Sequence, residues 1–114
     1  MRRDPRKFLT DMLDRALFLS RFLADKTLED LESDRILRSA TEREFMVLGE
    51  AMSQKHHIAP EIAEQIDRWD DIIGFRHILV HGYDVLEMPV VWDVIKSDLP
   101  PLITQLVSML SEQS

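Results

Sequence analysis

The chain has 114 residues, of which 45% are hydrophobic and 31% charged, and its net charge is −7. That size predicts one domain spanning 1–114, with a core of its own and little room for a second. The lack of cysteine excludes a disulfide framework, thiolate metal sites and a cysteine nucleophile, and the acidic balance counts against a general nucleic-acid coat, because it repels polynucleotides at long range, so that one would need a small local basic site or a partner that supplies charge.

With only 3 glycines and 5 prolines, the chain is short of the turn residues that an all-β protein needs. Charges interrupt every apolar run, so no signal-peptide core follows Met1-Arg2-Arg3 and no segment is expected to span a membrane. These features point to a soluble cytoplasmic protein.

The elements follow in order. Asp4-Pro5 pairs a capping carboxylate with proline at the first helical position. Leu9, Met12, Leu13, Ala16, Leu17, Leu19, Phe22 and Leu23 then recur at helical spacing, which predicts a helix over about 5–25. Thr27 and Asp30 stand in the capping-box relation. A second long helix is expected from near Leu28 or Asp34 to near Gln54. Its apolar stripe is Leu37, Ala40, Leu48, Ala51 and Met52, flanked by Ile36, Phe45 and Val47. Glu44 falls in the middle of that stripe, whereas Glu50 and Arg43 fall together on another side. A carboxylate in an apolar stripe needs a partner. For Glu44 that is an interhelix ion pair, or support for a site on another helix.

Lys55-His56-His57-Ile58-Ala59-Pro60 reads as a solvated connector. The adjacent histidines point to different sides of a helix and make poor joint metal ligands. A short helix is expected at 60–65 and the central helix from near Ile66–Trp69. A last helical region starts at Met88-Pro89, with Val90, Val91, Trp92, Val94, Ile95 and Leu99 as its apolar set. Pro100-Pro101 must kink or end it. Asp98 is placed to cap a restart, after which Leu102, Ile103, Leu106, Val107, Met109 and Leu110 continue the stripe. Ser111–Ser114 is a polar tail. The fold class is all-α: an up-and-down bundle of four to five helices.

The chemistry-bearing stretch is Gly74-Phe75-Arg76-His77-Ile78-Leu79-Val80-His81-Gly82-Tyr83-Asp84. On a helical wheel Trp69, Ile73, Arg76, Val80 and Tyr83 share one face, with Phe75 and Ile78 roughly opposite. A helix apolar on both sides is either central or shared with a subunit interface. A guanidinium on such a face needs a partner, with Glu44 and Glu50 the candidates. His81 lies about 140° from Arg76 on an ideal helix. Either Gly82 distorts the last turn and re-aims His81, or a second copy of the chain completes the site around a two-fold axis. An arginine and a histidine suffice for metal-free RNA cleavage. The histidine takes the proton of a ribose 2′-hydroxyl, the arginine stabilises charge on the phosphoryl oxygens, and DNA is spared. On residue physics alone the reading of the pair as satisfied structural residues of a buried helix stands ahead of the catalytic one.

Arg76-x4-His81-x-Tyr83, in its setting, resembles the signature of the HepT-like toxins of the HEPN superfamily. The resemblance extends to Arg3-Asp4-Pro5 before the first helix, Gly49-Glu50-Ala51 closing the second long one, and Val91-Trp92 leading to Asp98-Leu99-Pro100. It implies a HEPN-like bundle forming a two-fold homodimer, and a metal-independent endoribonuclease with no cofactor, its cleft at the dimer interface. Arg76 and His81 carry over as the catalytic pair. His77 carries over as an RNA-binding residue, and Glu50 as a supporting residue. Tyr83 carries over as the tyrosine to which a cognate minimal nucleotidyltransferase antitoxin transfers AMP. Two other readings stand beside this one: a non-catalytic dimer that docks the nucleotidyltransferase, and a stand-alone helical scaffold that binds nucleotides.

Overall fold

The computed structural model describes residues 5–81 and 87–112. Its elements are α1 (Pro5–Phe22), α2 (Leu28–Ser33), α3 (Arg35–Ile58), α4 (Pro60–Ala63), α5 (Trp69–His81), α6 (Met88–Asp93), a π-helical turn (Val94–Asp98) and α7 (Leu99–Glu112). The fold class is all-α, as the periodicity predicts. The body measures 42 × 28 × 23 Å, and its long axis accommodates the 24 residues of α3, about 36 Å at 1.5 Å per residue.

Three long helices carry the core at helical spacing. Leu9, Met12, Ala16 and Leu19 are buried from α1, with Leu23 just past its end, Leu37, Phe45, Leu48 and Met52 from α3, and Leu99, Leu102, Leu106 and Met109 from α7. α1 packs against both α3 and α7, and α5 lies along α3. Each such stripe withdraws apolar area from water on one face, which is what orders helices of this length in a bundle.

The helix starts follow from local chemistry. The Thr27 hydroxyl accepts from the Asp30 amide at 3.1 Å, and the Asp30 carboxylate accepts from the Thr27 amide at 2.9 Å, closing the expected box. Both proposed starts of the second helix are used. Leu28 opens the one-and-a-half turns of α2, and Asp34 interrupts it and caps α3, accepting from the amides of Ile36 and Leu37. Asp4 lies outside the described residues.

Several expectations are corrected. α3 does not stop near Gln54 but runs to Ile58, so Lys55, His56 and His57 form its last turn and not a solvated loop. Lys55 is fully buried. Ile36, placed beside the apolar stripe, is 82% exposed because it lies on the outer side of the first turn of α3. The prolines at 100 and 101 do not end the last helix. The turn before them widens, so that the Leu99 amide reaches back to the Val94 carbonyl. This relieves the clash that a proline ring makes with the preceding turn. Ser111 and Glu112 belong to α7 and are not a tail.

Candidate active site

The site is built on the contact between α3 and α5. Gly49 is buried in α3 opposite Arg76 of α5. A Cβ added at Gly49 would overlap the Arg76 Cβ and stand 2.9 Å from its Cγ and 3.2 Å from the Ile72 carbonyl. Glycine is therefore required for close approach of the two helices, not for an unusual backbone angle. That approach lays the Arg76 side chain across α3, where its guanidinium meets the Glu50 carboxylate at 3.0 Å. Glu50 is itself held by Gln54, one turn on, at 3.1 Å. The Arg76 and Glu50 side chains are 32% and 45% exposed, so their pair contributes at most about 1 kcal/mol to stability. Its consequence is orientation. Arg76 points into an open groove of about 540 Å³ walled by α1 and α3.

The partner of Arg76 is thus Glu50, and Glu44 is excluded from that role. Glu44 faces α1, where both of its oxygens accept from Arg15, at 3.0 and 3.3 Å. This is the interhelix ion pair that its place in the apolar stripe requires.

The face of α5 that carries Arg76 is a groove wall and not the bundle core. Leu79 is the one buried residue of α5. Ile72, Ile73 and Phe75 pack on the core from the side, with the Phe75 ring edge-on to Phe45 at 5.2 Å. Val80 and Ile78 remain 37% and 43% exposed.

His77 and His81 occupy the next face. Both are exposed, and their rings lie 4.6 Å apart, as residues one turn apart do. α5 remains α-helical through His81. Arg76 and Val80 line the groove, and neither histidine does. A single chain therefore does not bring His81 to Arg76. Gly82 and Tyr83 lie outside the described residues, so the re-aiming of His81 by Gly82 and the place of Tyr83 are not described.

Some site-building residues had only a faint signal in the sequence. His56 stacks on Trp69 with ring centroids 4.2 Å apart and meets Glu64 at 3.0 Å, tying the end of α3 to α4 and to the start of α5. Arg68, at the entry to α5, adopts a left-handed backbone (φ 61°) that non-glycine residues seldom take. Asp71, by its hydrogen bond, and then the charge of Asp98 hold its guanidinium more firmly protonated than usual. Asp98 accepts from Arg68 at 2.7 Å and does not cap a helix restart. A second groove of about 650 Å³, between α3, α5 and the start of α7, has an apolar floor and carries Asp67, Asp70, Asp71 and Asp98 against Arg68 alone. Its charge makes it the poorer seat for an anionic ligand. Among the described residues no cluster of three or more histidine, aspartate or glutamate side chains is placed to hold a metal ion, and no helix is long and apolar enough to cross a membrane.

The fold and site define a HEPN-like helical bundle that presents an arginine from a cleft wall. The family model described as "Ribonuclease HepT-like" matches residues 12–109, and the chain belongs to that family. A Methanocaldococcus jannaschii protein named "Gamma-glutamylcyclotransferase and putative RNase" is 25% identical over 114 residues, which are 98% of this chain and 50% of that protein, so the chain spans half of that relative's length. A second protein of that organism, named "Putative RNase", is 27% identical over 103 residues, 89% of this chain and 92% of its own. The "Probable ribonuclease HepT" of Thermococcus cleftensis is 24% identical over 102 residues, 90% and 92% of the two chains. No solved structure matches the chain.

Proposed function

We propose that residues 1–114 act as one ribonuclease domain, a metal-independent endoribonuclease that is the toxin of a cytoplasmic type VII-like toxin–antitoxin pair. The observation that carries this reading is the presentation of Arg76. Gly49 and Glu50 fix it on a groove wall with its guanidinium open to solvent, on the same helix as two exposed histidines. Family membership supports the same activity class.

In this reading His81 removes the proton of a ribose 2′-hydroxyl, and the freed oxygen attacks the adjacent phosphorus. The bond to the 5′-oxygen breaks, and that oxygen takes up a proton. Arg76 stabilises the charge gathering on the phosphoryl oxygens, and His77 helps hold the RNA. Because Arg76 and His81 leave one helix in different directions, the active unit is a homodimer in which the histidine of one copy meets the arginine of the other. A minimal nucleotidyltransferase antitoxin transfers AMP to Tyr83, and the added anionic bulk keeps RNA away. The net charge of −7 favours a second reading, in which the chain is a non-catalytic dimer that only docks that partner.

The test is cleavage of RNA in EDTA by the wild type, Arg76→Ala and His81→Ala. Each variant is expected to lose about 100-fold or more in rate. Mixing the two variants distinguishes a shared site from a site within one chain. Half of a random mixture is heterodimer with one intact site, so about a quarter of the wild-type rate returns if the site is shared, and none if it is not. A wild type that cuts no RNA leaves the docking reading. Intact mass after incubation with ATP and the nucleotidyltransferase tests Tyr83: steps of one AMP must vanish in Tyr83→Phe.

A further inference from the structure

We infer that the groove between α1 and α3 is the track of the RNA backbone and that Arg43 is its phosphate contact, an inference that rests on the ribonuclease reading above. Four cations reach this groove: Lys7, Arg15, Arg43 and Arg76. Three of them already hold a carboxylate. Lys7 pairs with Asp11 at 3.1 Å, Arg15 with Glu44 at 3.0 Å, and Arg76 with Glu50 at 3.0 Å. A phosphate that binds any of these must displace or share a carboxylate. Arg43 is exposed, and among the described residues it makes no ion pair or side-chain hydrogen bond. It alone in the groove offers its full set of donors at no such cost, and the planar guanidinium matches a phosphate in two-point contact.

Its position suits a strand that also reaches Arg76. Arg43 and Glu50 are seven residues apart on α3, so they lie on one face, about 10 Å apart along the axis. Glu50 marks where the Arg76 guanidinium rests. A phosphate exchanged onto Arg76 in place of Glu50, and a second phosphate on Arg43, are then a nucleotide or two apart along one strand. The groove also carries Asp14, for which no partner is found among the described residues, and which therefore opposes an anionic strand. The same logic gives it a test of the opposite sign. The groove beside α7, with four aspartates against one arginine, offers no competing track.

The probe is a short, fluorescently labelled 2′-O-methyl RNA of mixed sequence, which binds but cannot be cut at a 2′-hydroxyl. Its dissociation constant is measured by anisotropy over a salt series for the wild type, Arg43→Ala, Arg43→Lys, Asp14→Asn and, as a control for bulk charge, Arg21→Ala, an exposed arginine that lines neither groove. Removing one phosphate contact is expected to lower the slope of log affinity against log salt by about 0.7 and to weaken binding several-fold. Arg43→Lys keeps the slope, Asp14→Asn tightens binding, and Arg21→Ala changes neither. Equal slopes for Arg43→Ala and wild type overturn the inference, as does an equal loss in Arg21→Ala. If RNA is cut while Arg43→Ala binds like wild type, the inference fails alone. If the slope depends on Arg43 but no RNA is cut, the ribonuclease reading fails and the binding groove stands.

Discussion

Gly49→Ala is the substitution that separates positioning of Arg76 from the mere presence of it. In a helix interior the change by itself is favourable by about 0.5–1 kcal/mol, because alanine loses less backbone freedom than glycine. Here the new methyl overlaps the Arg76 Cβ and stands 2.9 Å from its Cγ and 3.2 Å from the Ile72 carbonyl. Carbon atoms pack best at about 3.5–4.0 Å, so α5 must back away from α3 by about 1 Å. The nearest obstacle is a Cβ fixed to its backbone, so no side-chain rotation relieves it. Overpacking of this kind costs about 1–3 kcal/mol. After the propensity gain is subtracted, the net loss is about 1–2 kcal/mol, and the melting temperature falls by about 3–10 °C in a domain of this size. Catalysis is expected to suffer more than stability, since a misplacement of about 1 Å costs about 100-fold in rate. Thermal melts and RNA cleavage at a temperature where both proteins stay folded give the two numbers. A variant that melts at or above wild type and cleaves at the wild-type rate would refute both the close approach and the role assigned to Arg76.

Gly74→Ala is the matched control: its added methyl meets nothing within 4 Å, so stability rises by up to about 1 kcal/mol, read as a higher melting temperature. Leu106 is fully buried in α7, and Leu106→Ala is expected to cost about 2–5 kcal/mol in urea unfolding through lost contacts and a residual cavity. Glu50→Gln removes a half-exposed ion pair, so its stability stays within about 1 kcal/mol of wild type. With no carboxylate to displace from Arg76, its KM for RNA falls in a cleavage assay.

What the sequence made legible is what one helix can report about itself. The spacing of Leu9, Met12, Ala16 and Leu19 defines α1, and the Thr27–Asp30 pair locates a helix start to the residue. The wheel of α3 also separated Glu44 from Glu50 by face. It could not say which neighbour each face meets. That depends on α1 lying against the Glu44 side and α5 against the Glu50 side, so the partner of Arg76 became visible only with the packing. Gly49 was hidden for a related reason. A mid-helix glycine is a local weakness until the neighbouring backbone that needs the space is in place. Lys55 and the two histidines after it read as a loop because their heads are polar. Yet the long stem of lysine is apolar, and Met52 and Lys55 continue the buried stripe of α3 at helical spacing, with Ala59 buried just past its end. The angle between Arg76 and His81 was legible from the start, and the structure leaves it unchanged, with α5 helical to His81 and the two side chains on different faces. The proposed ribonuclease site needs both groups on one phosphate, and that persistence is why a second chain is proposed. Neither residue has to move if a two-fold axis brings the partner's copy to it.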